Sequence, residues 1–440
     1  MPETQEIVHA LFCDFFERGV RYFFPDADLR ATGSAAETNP SLTFHNRTDG
    51  GLELEWMGTC YDCHRNGRSF TEDQLRLLGS IGAVLSARYR SIFHAVSAAT
   101  PRLFTGLAED RFVSAFLDHT PYLDESGLPA ERNVVSDAIE VLRESSLITY
   151  ENRRISTGVI LVGAGEDPYN RVREMPPDAL PYDTSLVAIK SFHRLCDGLN
   201  TVFLVNREGM LVDLVDIEQF CACGAAQLPV PSPTRYRAHC LATLFGGHIC
   251  LALTPNGEIK VFAGGVQVFH FMEGHWHLTD IREKYHEFRK AVGDRKLAER
   301  LFAVAMNLAE NRRGGLFVLL DQPESVGELV APQDRIENCL EEASNKAQVH
   351  YLLRKKHVLE LETSVLQSIA RVDGGIVMDR VGRLLAFGAI LRNSGAAWAA
   401  AQDGGRTTAA VHSSRFGLAI KISEDGMVSF YRNGVQVWEI

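Results

Sequence analysis

No stretch of the 440-residue sequence approaches eighteen uninterrupted apolar residues, so no membrane-spanning helix is expected. No basic block occurs either. The 45 Lys and Arg stand against 56 Asp and Glu, a net charge of −11, which argues against a nucleic-acid or anionic-membrane partner. The start, Met1-Pro2-Glu3-Thr4-Gln5-Glu6, lacks the basic and then apolar run of a signal peptide, and a cytoplasmic, reducing location is the expectation. With 36 Gly and 16 Pro, collagen-like and low-complexity classes are excluded. Nine cysteines, at 13, 60, 63, 196, 221, 223, 240, 250 and 339, are odd in number and scattered, and read as mostly small buried thiols. Walker-type and Rossmann-type glycine motifs are missing, since Gly163-Ala164-Gly165 lacks a third glycine. No Ser-His-Asp or Cys-His arrangement has supporting spacing. What is present is an ordinary globular composition, 45% hydrophobic and 23% charged, enough for two or three domains.

Residues 1–95 read as a small α+β domain. Ile7 to Phe16 is amphipathic, and Gly51-Leu52-Glu53-Leu54-Glu55-Trp56 alternates as a half-buried strand does. Thr71-Glu72-Asp73-Gln74 is a capping box ahead of Leu75, Leu77, Leu78, Ile81, Val84 and Leu85 at helical spacing. This strand, turn and helix resemble the closing half of a GAF-type sensory domain. Cys60-Tyr61-Asp62-Cys63-His64 has haem-attachment spacing but no export signal, and no second pair completes a zinc site, so it reads as a turn with two free thiols. Residues 96–131, punctuated by Pro101, Pro121 and Pro129, read as a helical connector.

The remainder repeats itself. Gly264-Gly265-Val266-Gln267-Val268-Phe269 recurs as Asn433-Gly434-Val435-Gln436-Val437-Trp438, and Asn256-Gly257-Glu258-Ile259 as Asp425-Gly426-Met427-Val428 in the same register. Thr234-Arg235-Tyr236-Arg237-Ala238 lies over Gly405-Arg406-Thr407-Thr408-Ala409, and Val202 to Gly209 over Gly375 to Gly382. A helix at 134–145 with a strand at 158–162 parallels a helix at 296–311 with a strand at 315–319. Two copies of one α/β unit, 132–275 and 294–440, follow, each expected as a central mixed sheet flanked by helices.

In the second copy, Asp373-Gly374-Gly375, Gly404-Gly405-Arg406-Thr407-Thr408-Ala409-Ala410 and Ser423-Glu424-Asp425-Gly426 fall in order. Here the sequence resembles the diadenylate cyclase (DAC) domain, the nucleotide-binding domain at the N-terminus of the DNA-integrity scanning protein DisA. That family carries D-G-A, G-T-R-H-R-A-A and S-E-E-x-G motifs in this order. The resemblance implies condensation of two ATP molecules into cyclic di-AMP with Mg²⁺ or Mn²⁺, between two facing domains. It also implies nucleotide contacts from Thr234, Arg235, Arg237, Asp373, Gly374, Gly375, Gly405, Arg406, Thr407, Thr408, Ser423 and Glu424, with Asp373 as metal ligand and, in an active enzyme, catalytic group. The residue types suit this chemistry, because a carboxylate holds a hard cation and arginine at a helix start meets phosphate.

Neither copy matches completely. Thr407 and Thr408 stand where the family has His and a second Arg. The first copy keeps Thr234, Arg235 and Arg237, with Tyr236 for the His, but has Asn200-Thr201-Val202 in place of the acidic motif. Loss of a phosphate-binding Arg costs on the order of a hundredfold in rate, whereas binding tolerates partial loss. The expectation is therefore a sensor or regulatory module that binds ATP or cyclic di-AMP. The alternatives are an active cyclase whose two copies form an internal pseudo-dimer, pooling Arg235 and Arg237 with Asp373, and a fold retained for protein contacts. Further oligomerisation is open. His275-Trp276-His277 with Asp280 reads as an inter-domain linker, and Arg335 to Glu362 as a solvated helical face plus core.

Overall fold

Apolar residues four apart put Phe12, Phe16 and Val20 on the buried face of α1 (Pro2–Phe23). This helix opens the computed structural model, which describes residues 2–34, 42–47, 50–65, 68–93, 104, 106–118, 133–169, 171, 174–189, 191–221, 226–336, 350–392 and 404–440. The expected connector at 96–131 lies mostly outside them. It retains α3 (Ala108–Leu117), which follows α2 (Glu72–Phe93).

A four-stranded sheet in the order β1-β4-β3-β2 is formed by β1 (Ala27–Ser34), β2 (Thr43–Asn46), β3 (Leu52–Trp56) and β4 (Thr59–Arg65). Alternation buries Leu52, Leu54 and Trp56 of β3, and Trp56 stacks on Phe16 with ring centroids 4.9 Å apart. The capping box of α2 forms as spelled. The Gln74 amide donates to Thr71 Oγ1 at 3.2 Å, and the Thr71 amide donates to Gln74 Oε1 at 3.1 Å. The Cys60…His64 segment, read as a turn, is instead strand β4. Its odd spacing sends Cys60 and Cys63 to opposite faces, so the two thiols cannot share a metal. Burial pushes the Cys63 thiol up to about 12.

A seven-stranded sheet follows α4 (Val134–Ser146). Its strands are β5 (Thr157–Leu161), β6 (Thr201–Val205), β7 (Leu211–Asp216), β8 (Ile249–Leu253), β9 (Ile259–Ala263), β10 (Val266–Met272) and β11 (His275–Leu278), in the order β11-β10-β9-β8-β5-β6-β7. Beyond α5 (Ile281–Val292) and α6 (Arg295–Glu310) comes a six-stranded sheet. It comprises β12 (Gly315–Leu320), β13 (Gly375–Asp379), β14 (Leu384–Ala389), β15 (Gly417–Ile422), β16 (Val428–Arg432) and β17 (Val435–Glu439), ordered β14-β13-β12-β15-β16-β17. Helices α7 (Thr363–Ala370) and α8 (Gly405–Ser413) fill its connections. The two sheets share one strand order. Each has a single parallel pair at its centre, β5 with β6 and β12 with β13, and the first adds β11 at its edge. The fold is α/β with mixed sheets flanked by helices, the class expected.

Two compact units result, Met1–Gln227 with Ala238–Asp280, and Leu228–Arg237 with Ile281–Ile440. Inside the first, the His275-Trp276-His277 stretch, expected as an inter-domain linker, is instead the edge strand β11, paired with β10. The buried Trp276 indole donates to Asp110 at 2.7 Å, and Asp280 accepts from Thr71 and Gln74 at 3.0 Å each. At the far end of the same sheet, Arg171 grips Asp167 with two hydrogen bonds of 2.9 and 3.2 Å. The Gly163 amide donates to His248 Nδ1 at 3.0 Å, so Nε2 carries the proton that faces Asp167 at 3.3 Å. Burial favours neutral Asp167, but the bonds from Arg171 outweigh it and hold the carboxyl well below the usual range. Burial likewise pushes His248 down.

In the second unit, the two sheet faces bury different cores. Leu316, Val318, Leu320, Val377, Ala419 and Tyr431 pack with Ala410 of α8 on one face. Phe288, Phe302, Phe430 and Trp438, with centroids 5.3 to 6.4 Å apart, tie α5 and α6 to the other. Each large ring or aliphatic chain so buried contributes about 1.5–3 kcal/mol. Among the described residues, no helix is long and apolar enough to cross a membrane.

Candidate functional site

Strand direction gathers the motifs of the second unit. The parallel strands β12 and β13 start at one end of the sheet, and antiparallel β15 finishes there, with Gly315 opposite Ile422. Gly314, Asp373-Gly374 and Ser423-Glu424, at 49 or more positions from one another in the chain, therefore meet at this end. Helix α8 begins beside them. Its cap residue, Gly404, has no side chain to offer; the Thr407 amide donates to the Gly404 carbonyl at 2.9 Å, and among the described residues no side chain caps the amides of Gly405 and Arg406 at the positive end of the helix dipole.

Arg406, in the first turn of α8, is the centre of the cluster. Its guanidinium donates to Glu424 Oε1 at 3.1 Å and lies 3.8 Å from Asp373 Oδ1. It occupies the space that a Cβ on Gly314 would take. Asp373 is fully exposed, at 100% of its side-chain surface, against 38% for Arg406. An ion pair at that distance and exposure is screened by solvent and weak, so the carboxylate is free to exchange Arg406 for another cation. Gly374 has φ +108°, and a Cβ would sit 2.6 Å from the Gly388 carbonyl carbon. At Gly375, where the family has Ala, a Cβ would make an ordinary 3.5 Å contact with Leu316.

Other expected residues have different surroundings. Thr407 accepts a hydrogen bond from Lys421 Nζ at 3.1 Å. Thr408 and Gly405 stand in the same first turn of α8. Ser423 spends its hydroxyl within its own turn, on Asp425 and the Met427 carbonyl. That hydroxyl is the main cause of the lowered Asp425 carboxyl. Thr234, Arg235 and Arg237 belong to the same compact unit. The Thr234 amide donates to Asn307 Oδ1 at 2.8 Å, Arg235 lies 3.8 Å from Glu310 on α6, and Arg237 is exposed. Helix α6 covers the sheet face opposite α8, so Arg235 and Arg406 approach the sheet from opposite sides.

The corresponding end of the first sheet is built differently. The hairpin register makes Thr157 the counterpart of Gly315 and Asn200 the counterpart of Asp373. A carboxylate does stand three residues earlier, at Asp197, but it accepts from the amides of Leu199, Asn200 and Thr201 at 2.7 to 3.0 Å. Partial burial raises this carboxyl, and the amide bonds overcome that to leave it lowered. His239 Nε2 donates to the Gly198 carbonyl at 2.9 Å, closing the loop against the sheet.

Two residues at the second site were not singled out from sequence. Gly314 directly precedes the strand expected at 315–319 and carries no motif of its own. Lys421 had a signal of its own, as the one charged side chain in the otherwise apolar Gly417–Ile422 strand. Among the described residues, no group of three His, Cys, Asp or Glu is placed to hold a metal ion. Asp373 suits Mg²⁺ or Mn²⁺ only in the manner of a site that takes its remaining oxygen ligands from phosphates and water.

No family model matches the chain, and no curated protein matches it. Among solved structures, a hypothetical membrane spanning protein from Bacillus cereus is 18% identical over 36% of this chain and 70% of its own, with a TM-score of 0.27. A double mutant of DacA from Staphylococcus aureus is 18% identical over 34% of this chain and 87% of its own, with a TM-score of 0.22. Likeness at this level carries no argument about chemistry.

Proposed function

We propose that the second unit binds an adenine nucleotide, ATP or cyclic di-AMP, at the end of its sheet where β12, β13 and α8 begin, and that the protein is a sensor or regulatory module of the DAC type. The observation that carries this is the meeting of an exposed Asp373 with Arg406 at a helix start that no side chain caps among the described residues, with the Arg406 guanidinium seated over Gly314. Arg406 and the α8 amides meet phosphate oxygens there, and Asp373 holds a divalent cation that neutralises the remaining phosphate charge. Gly374 lets the backbone come close to the ligand.

Regulation is preferred to catalysis because of what the cluster lacks. Thr407 and Thr408 replace a proton-bearing ring and a permanent cation, and the first sheet offers Asn200 where an acid is needed. An active cyclase is the second reading, favoured by the full exposure of Asp373. Incubation of the protein with ATP and Mn²⁺ separates the two. Cyclic di-AMP formed by the native chain and lost in Asp373→Asn establishes the enzyme. No product, with calorimetric binding of ATP or cyclic di-AMP, establishes the sensor. Absence of both product and binding removes nucleotide recognition altogether.

A further inference from the structure

We propose that Lys421 replaces the missing second arginine, supplying from β15 the phosphate-binding cation that α8 no longer carries. The inference deepens the nucleotide reading above and rests on it. Lys421 lies on the same sheet face as Ala419 and Ala410, beneath the first turn of α8, and its ammonium reaches the Thr407 hydroxyl at 3.1 Å. Thr407 is one of the two positions at which the motif departs from the family. A threonine there is short enough to admit a lysine from the neighbouring strand, and the hydroxyl fixes where the ammonium sits.

Electrostatics makes the placement informative. Cations are disfavoured at the positive end of a helix, yet Lys421 and Arg406 are both held at the start of α8. Arg406 has two carboxylates nearby to offset this. Among the described residues, the hydrogen-bond partner of Lys421 is a neutral hydroxyl. Asp425, in the adjacent turn, feels the lysine but spends its own carboxylate on Ser423 and the Met427 amide. Among the described residues no carboxylate is bound to this half-buried ammonium, the one charge in an otherwise apolar strand, and the Thr407 hydroxyl is its hydrogen-bond partner there. An anion between Lys421, Arg406 and the α8 amides turns that arrangement from unfavourable to favourable. The chemistry recognised is a phosphate group carrying more than one charge, as at the end of a nucleoside triphosphate.

The test is calorimetric titration of the full chain with ATP and Mg²⁺, and separately with inorganic triphosphate. Lys421→Met and Lys421→Gln are expected to weaken both ligands about tenfold or more, and Lys421→Arg to stay within about threefold of the native protein. Unchanged affinity in both Lys421→Met and Lys421→Gln overturns the inference while leaving nucleotide binding intact. So does a Lys421→Arg chain as weak as Lys421→Met. Triphosphate binding that depends on Lys421, without binding of ATP or cyclic di-AMP, supports the cation site and sinks the nucleotide reading. A native chain that binds none of the three removes both.

Discussion

The two sheets end differently where their central parallel strands begin. In the first, Asp197 is held by three consecutive amides, His239 bonds the Gly198 carbonyl, and Asn200 stands at the acidic position. In the second, Asp373 is fully exposed, Arg406 spans it and Glu424, and no side chain caps the helix start among the described residues. Strand order and register are shared, so the fold does not make the difference. A few side chains at one edge do, by satisfying each other internally in one copy and facing outward in the other. Fold and site can thus diverge independently within one chain.

The comparison breaks first on its glycines. Gly374→Ala, which sets a Cβ against the Gly388 backbone at φ +108°, is expected to cost about 3 kcal/mol in urea unfolding of the second unit. Gly198→Ala, whose Cβ would overlap the Thr157 carbonyl, should cost the first unit a similar amount. Equal losses would show that both edges are equally constrained. A silent Gly374→Ala would show that the second edge is not the rigid platform described.

Acid tests the comparison next. His248 and Asp167 both have lowered folded values, so each contributes stability above its unfolded pKa that is lost as pH falls. For His248 the loss begins below about pH 6.5, and for Asp167 below about pH 4. Both units should weaken on acidification, because burial also lowers His412 in the second, and Asp167→Asn should destabilise the first by about 2 kcal/mol at neutral pH, through the broken Arg171 pair. Denaturation followed at pH 7, 5 and 3.5 checks this, and acid resistance of the native first unit would count against the buried Asp167–His248 pair.

Ligand affinity provides the third test. Arg406→Met should lower ATP affinity by about tenfold, while Asp197→Asn in the first copy leaves it unchanged. Equal effects would erase the functional asymmetry. The smallest effects are reserved for two residues of the motif itself. Gly375→Ala and Ser423→Ala should each shift stability by no more than about 1 kcal/mol and leave affinity as it was, since a Cβ at Gly375 has room and the Ser423 hydroxyl is engaged in its own turn. A large affinity loss in Ser423→Ala would place that hydroxyl on the ligand instead.

Much of the fold was legible because it is local. The alternation of Leu52-Glu53-Leu54-Glu55-Trp56 and the Thr71…Gln74 box became β3 and the start of α2. The repeat was legible because hairpin turns have fixed lengths, so Asn256-Gly257 and Asp425-Gly426 kept the two copies in register. The Cys60…Cys63 segment was misread as a turn because metal-like spacing says nothing about backbone conformation, and strand pairing decided it. Arg235 looked like the twin of Arg406. Its segment packs on α6, beside Glu310 rather than Asp373, and nothing in the residues of 234–238 announces that.

Periodicity, turn chemistry and self-similarity are short-range properties of the chain, and the sequence by itself determined from them an α/β protein with two copies of one sheet. The tertiary structure alone decided which residues meet. It set Gly314, Asp373, Arg406, Lys421 and Glu424 around one sheet end, left Asp373 open, and consumed Asp197 within its own loop. The physical reason is that a site's electrostatics depends on distances of a few ångströms between groups far apart in sequence, and only the packing of strands and helices sets those distances.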